Sequence, residues 1–501
     1  MYPFANHERA AMIRAQWDSF RAARGRVIAM VAAGVLIMLP GLLFAAGART
    51  VCAQAQGRVL VEKPCAAPLS GPDGHAVSDR FFFLHRQLDG DGSITARVGP
   101  MTGRIKKPPP PGTGPGPEPV PGVVPWAKAG IMIKKSAVQG AAYAAVMATA
   151  GHGVRMQHDF IHDTAGTRGS RWLRLTRTGK TITGYESPDG RRWTPIATAE
   201  LEGPARIGLF AASPGEVTRQ STSSAGRFAE VTATLDQVSA RGANGAWSRD
   251  DIGVEPGLDG RPHHPGGVVA SGGTYTLTGV GDIAPLVAGP RVEHTLIGLM
   301  IGLIVMIVVA ASFGAADDRR AATPASRELV ARAAVIAGIS ALTGLVAAAV
   351  AVGVGGHLAR ANATLLLPVS PLTEVRVVVG AAASCAAVAV LALALGALWR
   401  RAAFGVIGAM AVVIVPEALS AASMLPEAVA WGVFRFTPAA GFATLQSIPA
   451  YPQVDGAFVP SAGFYPLPPW AGLAVLCCYA GLTLGLAVKQ ARTRGTRLDE
   501  R

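Results

Sequence analysis

The sequence predicts a multi-domain membrane protein: a six-helix transmembrane α bundle with an extracytoplasmic all-β sandwich inserted between helices 1 and 2. Three observations predict it. Half of the 501 residues are hydrophobic, with 60 glycines and only 32 acidic residues, which suits several spans plus one domain rather than a single soluble enzyme. Six apolar stretches are long enough to cross a hydrocarbon core of about 30 Å: Val27–Gly47, Thr295–Ala316, Ala333–Gly356, Val377–Trp399, Ala402–Ser423 and Trp470–Val488. About 250 mostly polar residues separate the first of these from the second.

Residues 1–26 form the first element. Ala10, Ile13, Trp17 and Phe20 fall at helical spacing on one face, with Arg9, Arg14, Arg21 and Arg24 around much of the remainder. That is the pattern of an amphipathic helix lying in a membrane interface. The first span follows at 27–47. A cleaved signal peptide ending near Ala53–Ala55 is the alternative, but the leader is long and the apolar core exceeds the usual length.

The net charge of +14 does not point to nucleic acid, because the arginines sit where membrane topology places them. Arg9, Arg14, Arg21, Arg24 and Arg26 precede span one. Arg319, Arg320, Arg327 and Arg332 lie between spans two and three, and Arg400 and Arg401 between four and five. Lys489, Arg492, Arg494, Arg497 and Arg501 make the tail 489–501 basic, while Arg360, Arg376 and Arg435 are the exceptions in the opposite short loops. Positive charge inside puts both termini in the cytoplasm and the large domain outside the plasma membrane. Cys52 and Cys65 then lie on the oxidising side, where a disulfide between them is expected and two free exterior thiols are the alternative; Cys385, Cys477 and Cys478 fall inside apolar helices, where a thiol packs as a small hydrophobe.

Residues 66–240 read as the β-sandwich. Strand-like runs at 80–84, 93–98, 129–134, 143–148, 172–176, 181–185, 205–210 and 228–235 are β-branched or aromatic and separated by Gly, Asp and Pro. Gly179 and the Ser187-Pro188-Asp189-Gly190 segment supply turn chemistry. Eight prolines in the fourteen residues Pro108–Pro121 predict a stiff polyproline II-like loop that cannot enter a ladder. Residues 241–294 predict a small exterior β tether of two or three short strands, and 295–488 carries spans 2–6.

Little in the exterior region suggests chemistry. Its carboxylates Asp89, Asp91, Asp159, Asp163, Glu186 and Asp189 mostly fall in turns, whereas a glycosidase needs two held about 5 to 9.5 Å apart. Asp89-Gly90-Asp91-Gly92-Ser93 opens like a calcium loop, but Ile94 replaces the required Gly and Pro100 stands where the bidentate Glu belongs, so a hairpin turn is expected there. His152, His158 and His162 lack a Cys or a clear acidic partner and read as surface histidines. No catalytic, metal or cofactor site is expected, and no G-x-x-x-x-G-K-[ST] loop is present. Glu417, beside Pro416, is the one carboxylate deep in an apolar run and is the transport-pathway candidate.

Two resemblances refine this. Phe81–His85 with Gly90–Ile94, Trp126–Met132 including Gly130, Trp172–Arg177, and Ser187–Trp193 with Asp189 and Gly190 resemble the concanavalin A-like lectin/glucanase sandwich, in the branch related to laminin G-type modules. Trp126, Gly130, Trp172, Asp189, Gly190 and Trp193 mark the fold by that resemblance, which implies glycan binding, glycan cleavage or plain adhesion without choosing among them. No E-x-D-x-E strand signature of the family's glucanases is present.

Ile13–Trp17, Gly302–Val305, Ala322–Arg332, Leu391–Arg401 and Phe436–Gly441 are similar to the connector helix, first cytoplasmic loop, short turn between spans four and five, and exterior re-entrant segment of permeases in the second exporter type of ABC transporters. The first loop is shortened at Ala315–Arg320 relative to that pattern. The resemblance implies export driven by ATP and Mg on a separate ABC ATPase, contacted through Trp17, Arg319, Arg320, Arg327 and Arg332. It implies a homodimer, or a heterodimer with another permease, and an exterior domain in contact with envelope, glycan or protein. The alternative is a membrane-anchored glycan-binding or sensory module without transport. The Ala-, Gly- and Arg-rich, Lys-poor composition is that of a high-GC bacterium.

Overall fold

The computed structural model describes every residue except 1–2, 50, 57–58, 65–66, 107–118, 221–222, 255–264, 317–324, 457 and 500–501. The chain divides into two compact units. A helical unit comprises Met1–Thr50, Pro290–Pro449 and Phe458–Arg501; a β-rich unit comprises Val51–Gly289 and Ala450–Ala457.

The helical unit contains α1 (Pro3–Ala22), α2 (Arg24–Gly47), α3 (Leu299–Ala315), α4 (Ala325–Ala361), α5 (Pro371–Trp399), α6 (Ala402–Ala409), α7 (Val415–Ala421), α8 (Glu427–Phe436) and α9 (Pro469–Asp499). Among the described residues five helices are long and apolar enough to cross a membrane, at Arg24–Gly47, Ser326–Ala361, Pro371–Trp399, Ala402–Ala421 and Pro469–Thr493. The apolar α3 is shorter, because a 3₁₀ turn over Val292–Leu296 takes up the start of the expected span. Gly353, Gly355 and Gly356, at the end of the third expected span, stay inside α4. The chain is thus a membrane-associated protein of two dissimilar parts.

Local chemistry sets the ends of α5. Ser370 caps its start, with Pro371 behind it and the Ser370 side chain accepting from Thr373 N–H. Arg400 takes a left-handed φ of 53° at its close, so α6 begins two residues later. α5 is the central helix, packing on α3, α4, α6 and α9. At Gly396 a Cβ would lie 2.4 Å from Ala311 O of α3, and at Gly405 of α6 one would lie 2.7 Å from Gly396 Cα, so three backbones meet over hydrogen atoms alone. Between α6 and α7 the helix widens into a π segment, Met410–Ile414, just ahead of Pro416. Proline lacks an N–H and crowds the carbonyl of the preceding turn, and the wider turn accommodates both.

The β-rich unit is built on a 13-stranded sheet. Its strands are β1 (Phe81–Lys106), β2 (Pro119–Pro121), β3 (Lys128–Lys134), β4 (Tyr143–Thr149), β5 (Gly153–His158), β6 (His162–Ala165), β7 (Trp172–Thr178), β8 (Thr181–Ser187), β9 (Thr194–Glu200), β10 (Ala205–Ala212), β11 (Ala229–Ile252), β12 (Gly267–Ser271) and β13 (Thr274–Val280). The main path runs β9-β8-β7-β1-β10-β3-β4-β5-β6. β1 pairs with β10 over Phe82–Leu88, then with β7 over Gly92–Arg97, while β11 follows its other edge. The sheet therefore folds over along β1, and Leu84, Ile131, Val146 and Leu209 of one half pack against Ile94, Leu173, Leu175 and Ile182 of the other.

Three expectations are corrected here. Asp89–Gly92 is not a hairpin turn: β1 continues through it, changing partner there. Gly92 permits this, since a Cβ would fall 2.6 Å from both Arg241 O and a Leu88 methyl. Residues 241–294 are not a separate tether, because β11 crosses the expected boundary within one strand and β13 pairs with it. The proline run does enter a ladder at its end, where Val120 lies opposite Ile105 on β2, a three-residue edge strand. The rest of that run, and Cys65, lie outside the described residues; Cys52 falls in the strand Val51–Gln56.

A second layer covers the outer face of β1, β3, β4 and β10. Val77, Phe81, Phe83, Met132, Tyr143, Phe160, Phe210 and Ile283 form its core, and β3 is consequently buried on both faces. Lys134 and Asp79, both fully buried, pair at 2.7 Å inside it; Lys128 reaches Asp282 at 2.7 Å. The segment 450–456 joins this layer: Gln453 donates to Phe160 O and Ile161 O at 3.2 and 3.1 Å.

Candidate functional site

Two polar clusters lie toward opposite ends of α3. The first joins α1 to α3 and α4. Glu328 and Arg332 stand one turn apart on α4 and pair directly. Gln16 of α1 donates to Glu328 Oε1 at 3.3 Å and accepts from Arg332 Nε at 3.2 Å. Arg332 also donates to Phe313 O and Ala316 O at 3.2 and 2.5 Å, satisfying carbonyls that the end of α3 leaves open. Phe20 meets the Phe313 ring edge-on at 5.5 Å, and Arg26 lies 5.0 Å over that ring. Gln16, Phe20, Glu328 and Arg332 are buried.

The coupling candidates therefore separate. Arg332 is committed to this knot, Arg327 is exposed, and Arg319 and Arg320 lie outside the described residues. Trp17 is 42% exposed and Ile13 43%, so the docked edge of α1 carries Gln16 and Phe20 in place of the full Ala10–Ile13–Trp17–Phe20 face. Trp17 instead borders an apolar groove of about 490 Å³ with Arg21, Val31, Val35, Leu342 and Val346. Sequence reasoning missed Gln16; the Glu328–Arg332 spacing was the available signal.

The second cluster gathers Arg291, Glu293, Arg376, Gln446, Ser447, Tyr465 and Glu417. Arg291 pairs with Glu293 at 3.3 Å, lies 4.6 Å over Phe464 and donates to Ala462 O; Ser447 donates to Glu293. Arg376 donates to Thr444 O and Gln446 O at 3.2 and 2.6 Å, and Gln446 in turn accepts from Tyr465 N–H at 3.0 Å. The Tyr465 hydroxyl donates to Glu417 Oε1 at 3.0 Å, with Phe434 edge-on to its ring. Glu417 Oε2 and the Ser420 hydroxyl, one turn further on α7, are buried and have no hydrogen-bond partner among the described residues. Glu417 thus sits just past the π segment with one oxygen held and the other open, next to a second unused hydroxyl. Such a pair can accept a proton or a hydrogen-bond donor from a ligand.

In the β-rich unit the fold markers take structural positions. Trp126 is buried, stacked on His152 at 4.0 Å, and Gly130 faces Val146 O, where a Cβ would come within 2.2 Å. Gly190, at φ +71°, closes its turn over the Trp172 ring. Asp189 accepts from Arg191 and Arg192 N–H at 2.8 and 2.9 Å, bonds that with the Ser187 hydroxyl hold its pKa down at about 2. Trp193 carries the Arg174 guanidinium 3.8 Å over its ring. His158 and His162 are cross-strand partners with stacked rings at 4.3 Å. Among the described residues no group of three or more His, Cys, Asp or Glu is placed to hold a metal.

No protein-family model matches this chain, and no curated protein matches it. Among solved structures it is similar to a functionally unknown protein from Saccharomyces cerevisiae, at 13% identity over 39% of this chain and 97% of the other, with a TM-score of 0.19. A likeness that low carries no argument.

Proposed function

We propose that this chain is the membrane-spanning permease subunit of an ATP-driven exporter, with the β-rich unit outside the cell and the ATPase on a separate chain. Spans α2, α3, α4, α5, α6–α7 and α9 would form a six-helix half of the pathway, both termini lying in the cytoplasm of the plasma membrane. A second copy, or a related permease, would complete it. The observation that carries this reading is the knot of Gln16, Glu328 and Arg332. It ties an amphipathic helix to the end of one apolar helix and the start of the next. An anchor requires a single span and no such tie, whereas a permease must pass force from a peripheral helix into its spans. The exposed Trp17 and Arg327 are then the surfaces left for the ATPase, and ATP and Mg would be held by that partner.

Glu417 supports the same reading, as a half-satisfied carboxylate in an apolar helix. Purification from the native host in mild detergent tests the proposal: a stoichiometric chain bearing Walker motifs is expected. Its absence, with envelope glycan or protein retained instead, would favour the anchored binding module, for which the outer face carrying Arg174 of β7, Arg97 of β1 and Arg241 of β11 speaks.

A further inference from the structure

The outer face of β9, β8, β7, β1 and β11 can be laid out from its registers. One row across the strands is Tyr185, Arg174, Thr95 and Ser239; the next is Thr198, Thr183, Thr176, Ser93 and Arg241; a third is Ser187, Trp172, Arg97 and Asp236. Cross-strand partners share a face, so these side chains stand together on one surface, with Ser187 buried under its own turn at the edge. Inward-pointing Ile94, Leu173, Leu175 and Ile182 alternate with them and fill the core. Hydroxyls, aromatic rings and guanidinium groups thus cover this surface, and unlike the outer face of β3 it has no second layer over it among the described residues.

Its charges are distributed unevenly. At the margins each acid has a partner: Asp236 pairs with Arg97 and Glu200 with Lys180. Arg174, on β7 in the middle, and Arg241, on the edge strand β11, have no carboxylate within ion-pair distance among the described residues. Arg174 is fixed by its stacking on Trp193 and by donating to Thr95 Oγ1 at 3.2 Å. Burial, and after it the Arg241 charge, push its pKa down against the opposing pull of Tyr185. One strand, β1, lies between the arginines, so they stand two strand spacings apart, about 10 Å across the sheet.

We propose that this face binds an acidic polysaccharide, its sugar carboxylates on Arg174 and Arg241, its rings against Trp193 and Tyr185, and its hydroxyls on the threonine and serine rows. A planar guanidinium matches a carboxylate with two parallel hydrogen bonds, and a stacked guanidinium loses little freedom in making them. Neutral sugars would leave the two arginines without counter-charge. This inference rests on the reading that the exterior unit contacts envelope glycan and names the chemical class and the face.

The test uses the full chain in lipid nanodiscs, with polygalacturonate and size-matched dextran as probes at low and high salt. Polygalacturonate should bind and dextran should not. Arg174→Ser with Arg241→Ser should weaken binding about tenfold or more. The control pair Arg249→Ser with Arg435→Ser, on the part of β11 opposite Leu84 and on α8, removes equal charge away from the face and should change it little. Arg174→Lys with Arg241→Lys keeps the charge and should bind more weakly than the parent with the same salt dependence, which covers the case that the serine pair fails to fold. Equal loss in the control pair would reduce the effect to the chain's net positive charge and overturn the inference. Dextran binding that ignores both pairs would overturn it while leaving the glycan-contact reading intact. A folded chain that holds neither polymer would end both.

Discussion

The two units bury charge in different ways. In the β-rich unit Lys134 and Asp79 are fully enclosed in the middle of a layer, with the Lys134 ammonium 5.5 Å from the Tyr143 and Phe160 ring centres. In the helical unit the packed core is mostly alanine, valine, leucine and isoleucine, and among the described residues buried charges fall in the knot at Arg332 and the cluster around Arg291 and Glu417. The difference teaches where each unit is held. A central ion pair fixes a covering layer in one register. Polar ties at the ends of otherwise apolar helices join neighbours there, and close backbone packing joins them in between.

The largest effect should come from breaking the central pair. Lys134→Ala strands a buried Asp79 that keeps only the Gly140 N–H, and should cost about 3–5 kcal/mol. Unfolding of the β-rich unit by denaturant would measure it. Lys134→Leu combined with Asp79→Leu should regain most of the loss, since no charge is then left unpaired. Arg332→Ala removes bonds to a carboxylate, an amide and two carbonyls and should cost about 3 kcal/mol, but locally. Hydrogen exchange should rise about a hundredfold in α1 while α5 stays protected. If both variants unfold their whole unit alike, the contrast between the two fails.

The helical unit was legible and the β-rich unit only partly so, for a physical reason. A span announces itself by an unbroken apolar run, and all six expected stretches are helical over most of their length. A long strand that turns a corner carries glycine and aspartate at the bend, the same residues that make hairpins, so Asp89–Gly92 reads as a turn although β1 continues through it. The clusters were less legible still. Glu417 stood out alone in an apolar run, but its partner Tyr465 lies 48 residues away. Gln453, some 290 residues beyond the Phe160 carbonyl that it meets, has no local signature at all.

A smaller effect tests the smooth part of the helical unit. Gly396→Leu would force α5 away from Ala311 O and Gly405, an overpacking worth about 1–3 kcal/mol. Thermal unfolding in detergent should show it, with the β-rich unit unaffected. Gly338, which has open space around its missing Cβ, is the matched control, and leucine there should be close to neutral.

The finest distinction is in pH. Burial holds the pKa of His85 below its ordinary 6.5, outweighing Asp250 at 2.6 Å. The folded state therefore keeps His85 neutral, and its contribution is complete above pH 6.5. Below that value the unfolded chain takes up a proton that the folded one resists, so stability falls as pH falls. His85→Gln should flatten this slope.

Asp189 acts at the other end of the scale. Its folded pKa of about 2 lies below the ordinary 3.8, so its stabilising contribution is present above pH 3.8 and disappears as pH falls through about 2. Asp189→Ala should lower the melting midpoint of the β-rich unit at neutral pH, and the gap to the parent should close between those two values. Because Asp189 is exposed and its bonds run to its own turn, the loss should be small and should leave the helical unit's midpoint unchanged. A gap that persists below pH 2 would mean that the side chain acts through packing, and that the Arg191 and Arg192 N–H groups are not what it serves.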